Sequence, residues 1–134
     1  MNNISKVFVF LFLIGSFAQA QIHNPVSWET SVEKVNESEY ELIISSTIES
    51  GWHLYSQNVP EGGPIPTTIT IAEDTKKFQL IGKPTEGQGH EEFDNVFEMQ
   101  IKYFELQAEF RQKIRLLSDE QISITGVLEF MVCD

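Results

Sequence analysis

Cysteine is nearly absent from this 134-residue chain: there is one, Cys133, a single residue from the C-terminal end. One cysteine excludes an internal disulfide, and an odd thiol in an exported chain suggests an intermolecular bond or a reactive role. Basic residues are scarce too, nine against twenty acidic, for a formal net charge of −11. Such a surface repels phosphate backbones and argues against nucleic acid as a partner. Helical periodicity is never sustained, and no apolar run reaches the roughly 18 residues that a membrane span requires. Histidines number three, and none stands at ligand spacing from His90, so the acidic group of His90, Glu91, Glu92 and Asp94 is read as solvated carboxylates. Neither a metal nor another cofactor is expected. The Gly- and Pro-rich segment Val59–Pro66 lacks the lysine of a phosphate-binding GxxxxGK[ST] loop, and its prolines remove amide donors, which leaves a rigid connector.

The first twenty residues carry the marks of a cleaved signal peptide. Lys6 supplies the positive end, Val7 to Ile14 the apolar stretch, and Ala18-Gln-Ala20 the small-residue cleavage pattern, while Ser16, Gln19 and Gln21 interrupt too early for a membrane anchor. No cysteine lies in this region, so a lipid-modified N-terminus is not supported. Residues 1–20 are therefore read as the signal and residues 21–134 as one mature domain of 114 residues. Without Lys6 the mature chain has eight basic residues against twenty acidic ones, a net charge of −12.

Alternation of apolar and polar residues runs through that domain. A first, edge-like strand is predicted from Trp28 through Val35, then a turn at Asn36–Glu39, a strand over Tyr40–Thr47, and a turn at Glu49–Gly51. Asn36 also spells a glycosylation sequon, but the turn needs only the local chemistry of Asn and Ser. Shorter strands are predicted around Trp52–Ser56, Thr67–Ala72 and Phe78–Ile81. Thr85 to Asn95 reads as a polar loop holding one aromatic, Phe93. From Val96 to Leu117 no glycine, proline, asparagine or aspartate occurs, and the apolar parity switches at Tyr103-Phe104, which predicts one long strand with a bulge that carries it from one sheet to another. Seven or so short strands in one domain point to an all-β fold, an immunoglobulin-like antiparallel β-sandwich without its usual inter-sheet disulfide.

The last thirteen residues organise the functional reading. Ile122, Ile124, Leu128, Phe130 and Val132 share one parity and should face a core; Cys133 has the other, with Glu129 and Met131. The thiol is thus presented at a strand end, not packed. In the polar loop, Phe93 stands open to two readings: a plug on the nearest core edge, or a cap over a reactive group.

Several stretches together resemble the N-terminal periplasmic domain of the thiol:disulfide interchange protein DsbD, also known as the disulfide bond corrector family. They are Gly51-Trp-His-Leu-Tyr-Ser56, Gly62-Gly-Pro-Ile-Pro-Thr67, Gly82-Lys-Pro-Thr-Glu86, Phe93 to Phe104, and Leu128-Glu-Phe-Met-Val-Cys-Asp134. The resemblance implies a domain that receives reducing equivalents from a thioredoxin-like donor, through a transmembrane segment to which a longer chain would tether it, and reduces periplasmic disulfide proteins or cytochrome-maturation partners. It implies that Cys133 is the first cysteine of a redox pair whose second member lies beyond Asp134, so that the domain is truncated here, and that Glu92, Phe93 and Asp94 form an aromatic cap loop. No basic residue flanks Cys133, while Glu129 and Asp134 are acidic, a setting of low intrinsic reactivity suited to a gated shuttle. The rival from another class is a non-catalytic envelope β-sandwich that only binds a partner, with Cys133 incidental.

Overall fold

β-Branched and aromatic residues at alternating positions build ten strands and no helix among residues 22–134, which are the residues described in this computed structural model. The signal peptide expected over residues 1–20 lies outside the described residues. In chain order the strands are β1 (Val26–Lys34), β2 (Glu39–Ile48), β3 (His53–Tyr55), β4 (Thr68–Ile71), β5 (Phe78–Glu86), β6 (His90–Asp94), β7 (Met99–Phe104), β8 (Gln107–Leu116), β9 (Gly126–Glu129) and β10 (Val132–Cys133). Every pairing is antiparallel. One sheet has the order β1-β2-β8-β5, a second β10-β3-β7-β6, and a two-stranded ribbon joins β4 to β9. The chain is an all-β immunoglobulin-like sandwich, as its alternation predicts.

Local chemistry explains the turns that were legible. The Asn36 side-chain oxygen accepts hydrogen bonds from the amides of Ser38 and Glu39, at 3.1 and 3.0 Å, and so closes the β1–β2 hairpin. Gly51, at φ +89°, takes the left-handed conformation that lets the chain leave β2 and enter β3.

The core lies where the two larger sheets face each other. Val26, Ile48, Leu54, Phe104, Ala108 and Phe110 form its centre, with Trp28, Phe130 and Val132 packed against it. Phe104 of β7 and Phe110 of β8 meet edge to face, with ring centroids 5.7 Å apart, so one aromatic pair bridges the sheets.

Three stretches depart from the sequence expectation. The long strand of Val96–Leu117 is two strands in different sheets, and the crossing falls at Glu105-Leu106, just after the expected bulge. Leu106 has φ +63° and is 59% exposed, so it does not face the core as its parity suggested. A second hidden turn covers Asn95–Glu98, where the Asp94 carboxylate accepts from the amides of Val96 (2.7 Å) and Phe97 (3.0 Å) and Glu98 sits at φ +55°. Non-glycine residues rarely take positive φ, which is why composition concealed both turns. The polar loop of Thr85–Asn95 is mostly strand. Thr85 and Glu86 end β5 after a register shift between Ile81 and Thr85, and His90–Asp94 form β6, an edge strand whose charges keep its open side from pairing with other chains.

The C-terminal segment keeps its parity but not its continuity. Ile122, Ile124, Leu128, Phe130 and Val132 are half-buried and Cys133 is exposed. Yet β9 pairs with β4 while β10 pairs with β3, so the strand breaks at Phe130-Met131. Its residues Ile122, Ile124 and Leu128 line an open cleft of about 510 Å³ shared with Leu42, Ile44 and Ile114, which leaves the first three only half-buried.

Candidate functional site

The three residues of β3 place the site. Leu54 points inward and is fully buried, so His53 and Tyr55 point to the opposite face of the sheet. On one side Val132 and Cys133 of β10 pair with Leu54 and His53; on the other, Phe104 and Tyr103 of β7 pair with Leu54 and Tyr55. The Tyr55 amide donates to the Met131 carbonyl at 3.3 Å, which carries the β10 pairing one residue further. Cys133 therefore lies directly across from His53, on the face turned from the core, and diagonally from Tyr55, two residues along β3. Side chains in such a pair have Cβ atoms roughly 4.5–5.5 Å apart, and a diagonal neighbour remains within reach of an aromatic ring.

Tyr55 is the buried floor of this face, 6% exposed, with its carbonyl held by the Thr67 hydroxyl at 2.6 Å. Its phenol is pushed up to about 12, first by burial, then by the charge and hydrogen bonding of Cys133, and then by the charge of Asp94. Cys133 and Asp94 thus both bear on the Tyr55 phenol, although the three residues come from three strands.

A second set of side chains adjoins it. The Tyr103 ring lies against His53, at 4.2 Å between centroids, and near His90, at 5.7 Å. Its hydroxyl donates to the Glu92 carboxylate at 2.9 Å. Burial, with the hydrogen bond and charge of Glu92 and the charge of Glu105, raises the Tyr103 phenol above its ordinary value. Glu105, at the end of β7, holds His53 Nε2 at 2.9 Å from one carboxylate oxygen and stands 3.5 Å from His90 Nε2 through the other.

Of the residues singled out in the sequence, Cys133 is exposed. Glu92, Phe93 and Asp94 stand together, not in a loop but at the end of the edge strand β6, leading into the Asn95–Glu98 turn. They line a pocket of about 290 Å³ together with His53, Tyr55, Ile101 and Tyr103. Phe93 is 51% exposed and does not plug the core. His53, Tyr55, Tyr103 and Glu105 were not singled out by the sequence reading. The signal was there: His53 and Tyr55 have the parity opposite to Leu54, as Cys133 has opposite to Val132. Among the described residues no group of three or more His, Cys, Asp or Glu side chains is arranged to hold a metal ion.

The end of β3 is anchored by a buried carboxylate. Glu86, 5% exposed at its side chain, accepts hydrogen bonds from the Ser56 hydroxyl, the Gln57 amide (2.9 Å) and the Asn58 side-chain amide (3.1 Å), and pairs with Lys102 at 3.1 Å. Burial alone would raise this carboxyl; the four partners outweigh it and hold it below the usual carboxylate range. A carboxyl lowered in the folded state adds stability above the ordinary glutamate value of 4.5 and loses it as the pH falls below. Glu86→Gln is therefore expected to flatten the decline of stability in acid, measured as denaturation midpoints between pH 7 and pH 3. A mutant curve parallel to that of the wild type would show that Glu86 contributes nothing to acid sensitivity.

Compared with known families, residues 22–134 match the family model for the thiol:disulfide interchange protein DsbD, N-terminal. No curated protein and no solved structure matches the chain.

Proposed function

The chain belongs to the N-terminal domain family of the thiol:disulfide interchange protein DsbD, a match that spans all of the described residues, and from that premise we propose that it passes reducing equivalents by thiol–disulfide exchange through Cys133. The observation that carries the proposal is the position of this one cysteine, exposed at a strand end beside Tyr55. In the exchange the Cys133 thiolate attacks one sulfur of a partner disulfide. A new S–S bond forms, the partner's S–S bond breaks, and the leaving sulfur departs as a thiolate that takes up a proton. A second cysteine, beyond Asp134 in a longer chain, would resolve the mixed disulfide.

The family match supports redox partners in general, and periplasmic work. The finer assignment is our own: export by the signal peptide of residues 1–20, a thioredoxin-like donor fed through a transmembrane segment, and exported disulfide proteins or cytochrome-maturation proteins as acceptors. Glu92, Phe93 and Asp94 act as the cap. Phe93 is their exposed aromatic, and it lines the same pocket as His53 and Tyr55, which lie beside Cys133 in the sheet.

The reduced domain, mixed with a thioredoxin-like protein activated as a mixed disulfide with a chromogenic thiol, should release that thiol and yield an adduct that mass spectrometry maps to Cys133. Absence of the adduct, with the fold intact, overturns the proposal. For the cap, Phe93→Ala should speed alkylation of Cys133 severalfold, because a gate lowers the fraction of time that the thiol is open to reagents. An unchanged rate removes Phe93 from that role.

A further inference from the structure

Below the reactive thiol the structure holds a set of groups that the exchange reaction as described does not use. His53 is the direct cross-strand partner of Cys133, and its ring is fixed on two sides. Tyr103 stacks on it at 4.2 Å, and Glu105 bonds its Nε2 at 2.9 Å. A neutral imidazole that donates from Nε2 to a carboxylate keeps its basic lone pair on Nδ1, the ring nitrogen nearer the backbone. Cys133 stands opposite that ring in the register of β10 and β3.

The surroundings make an imidazolium here distinctive. The ionisable groups that face His53 are Cys133 from β10, Tyr55 from its own strand, Tyr103 and Glu105 from β7 and its end, and His90, Glu92 and Asp94 from β6. All are acidic or phenolic except the second histidine. Lys102, the basic residue of β7, is engaged elsewhere, with the Glu86 carboxylate at 3.1 Å and the Gly87 carbonyl at 3.0 Å. The positive charge available to a thiolate on this face therefore comes from histidine.

We propose that His53, positioned by Glu105 and Tyr103, is the charge partner of Cys133 and sets the pH at which its thiol becomes competent for exchange. This rests on the reading that Cys133 performs thiol–disulfide exchange. The proton of Cys133 passes to His53, leaving a thiolate beside an imidazolium. The thiolate attacks the partner disulfide, the Cys133–partner S–S bond forms, and the partner's own S–S bond breaks. The leaving thiolate then takes the proton from the imidazolium. One thiol and one disulfide enter, one thiol and one mixed disulfide leave, and His53 is restored. Glu105 acts through His53 as a positioning residue, and its negative charge favours the imidazolium.

Cys133 is the only cysteine, so its reactivity can be read without background. The rate of alkylation by iodoacetamide would be followed from pH 5 to pH 9 in the wild type, His53→Phe, His53→Gln and Glu105→Gln, with circular dichroism to confirm each fold. The wild type is expected to show a shoulder, from the histidine, below the main rise of thiolate reactivity. His53→Phe and His53→Gln should both lose the shoulder and react about 3- to 10-fold more slowly at pH 7, because the thiolate loses its neighbouring positive charge. In Glu105→Gln the shoulder should persist at lower pH, an outcome that a merely structural role would not give. Either histidine variant that folds suffices. Profiles that coincide with the wild type overturn the assignment of His53 while leaving exchange through Cys133 standing. A wild type that shows the shoulder but forms no adduct with the thioredoxin-like disulfide has the reverse meaning: the charge pair is real, and the proposed exchange is not.

Discussion

A Cys133→Ser domain is expected to form no disulfide-linked adduct with a thioredoxin-like partner, while its fold and stability stay close to those of the wild type. The loss should be complete, because the chain holds no other sulfur able to take part: its remaining sulfurs are the thioethers of three methionines. Serine keeps the size and polarity of the side chain, but a hydroxyl neither ionises near neutral pH nor displaces a thiolate from a disulfide. The fold should tolerate the change. Cys133 is exposed and ends a two-residue strand, with its thiol 3.5 Å from the Asp134 carbonyl, and surface substitutions of this kind usually fall within about 0.5 kcal/mol. The same variant separates the exchange domain from a binding module with an incidental thiol. If recognition rather than chemistry were the function, association measured by calorimetry or surface binding would be equal in both proteins and neither would form a covalent adduct. Electron transfer that persists in Cys133→Ser would end the assignment of Cys133.

How much of this was legible in advance divides along physical lines. Where a strand has one face in a core and one in solvent, alternation is imposed by burial and can be read directly; Tyr40–Thr47 and the parity of Ile122–Val132 are of that kind. Cys133 was placed correctly on the outward face for the same reason. The misreadings fall where the backbone turns without glycine or proline. Leu106 and Glu98 adopt positive φ, and nothing in a leucine or a glutamate announces it. Edge strands hide as well: His90–Asp94 lacks an apolar face, so its composition is that of a loop although it pairs along its length with β7. The site was legible only in part, because it is assembled across the sheet. Cys133, His53, Tyr103 and His90 are far apart in sequence, and the register that aligns them becomes visible only when β10, β3, β7 and β6 are laid side by side.

That register makes the stability of the site depend on one buried side chain, and Leu54→Ala should expose the dependence. Leu54 is 0% exposed and stands between Val132 and Phe104, its partners on the two neighbouring strands. Truncating a buried leucine to alanine costs about 2–5 kcal/mol, partly as lost transfer free energy and partly as the cavity left behind. Against a total of about 5–15 kcal/mol for a domain, this is a large fraction. The cost should also be felt unevenly. Strand β10 has two residues and is held by β3 alone, which itself has three, so local opening of β10 should precede global unfolding. Two measurements follow. Chemical denaturation should show the unfolding free energy lowered by that amount, whereas Val127→Ala, at a site 62% exposed, should move it little. Hydrogen exchange should accelerate first at the Tyr55 amide, whose bond to the Met131 carbonyl fastens β10 to the sheet, and only at harsher conditions at amides of β2 and β8. If Tyr55 instead exchanged in step with β2 and β8, the strand that carries Cys133 would be part of one cooperative unit, and its thiol would be presented by a rigid edge, leaving the cap as the only moving part of the site.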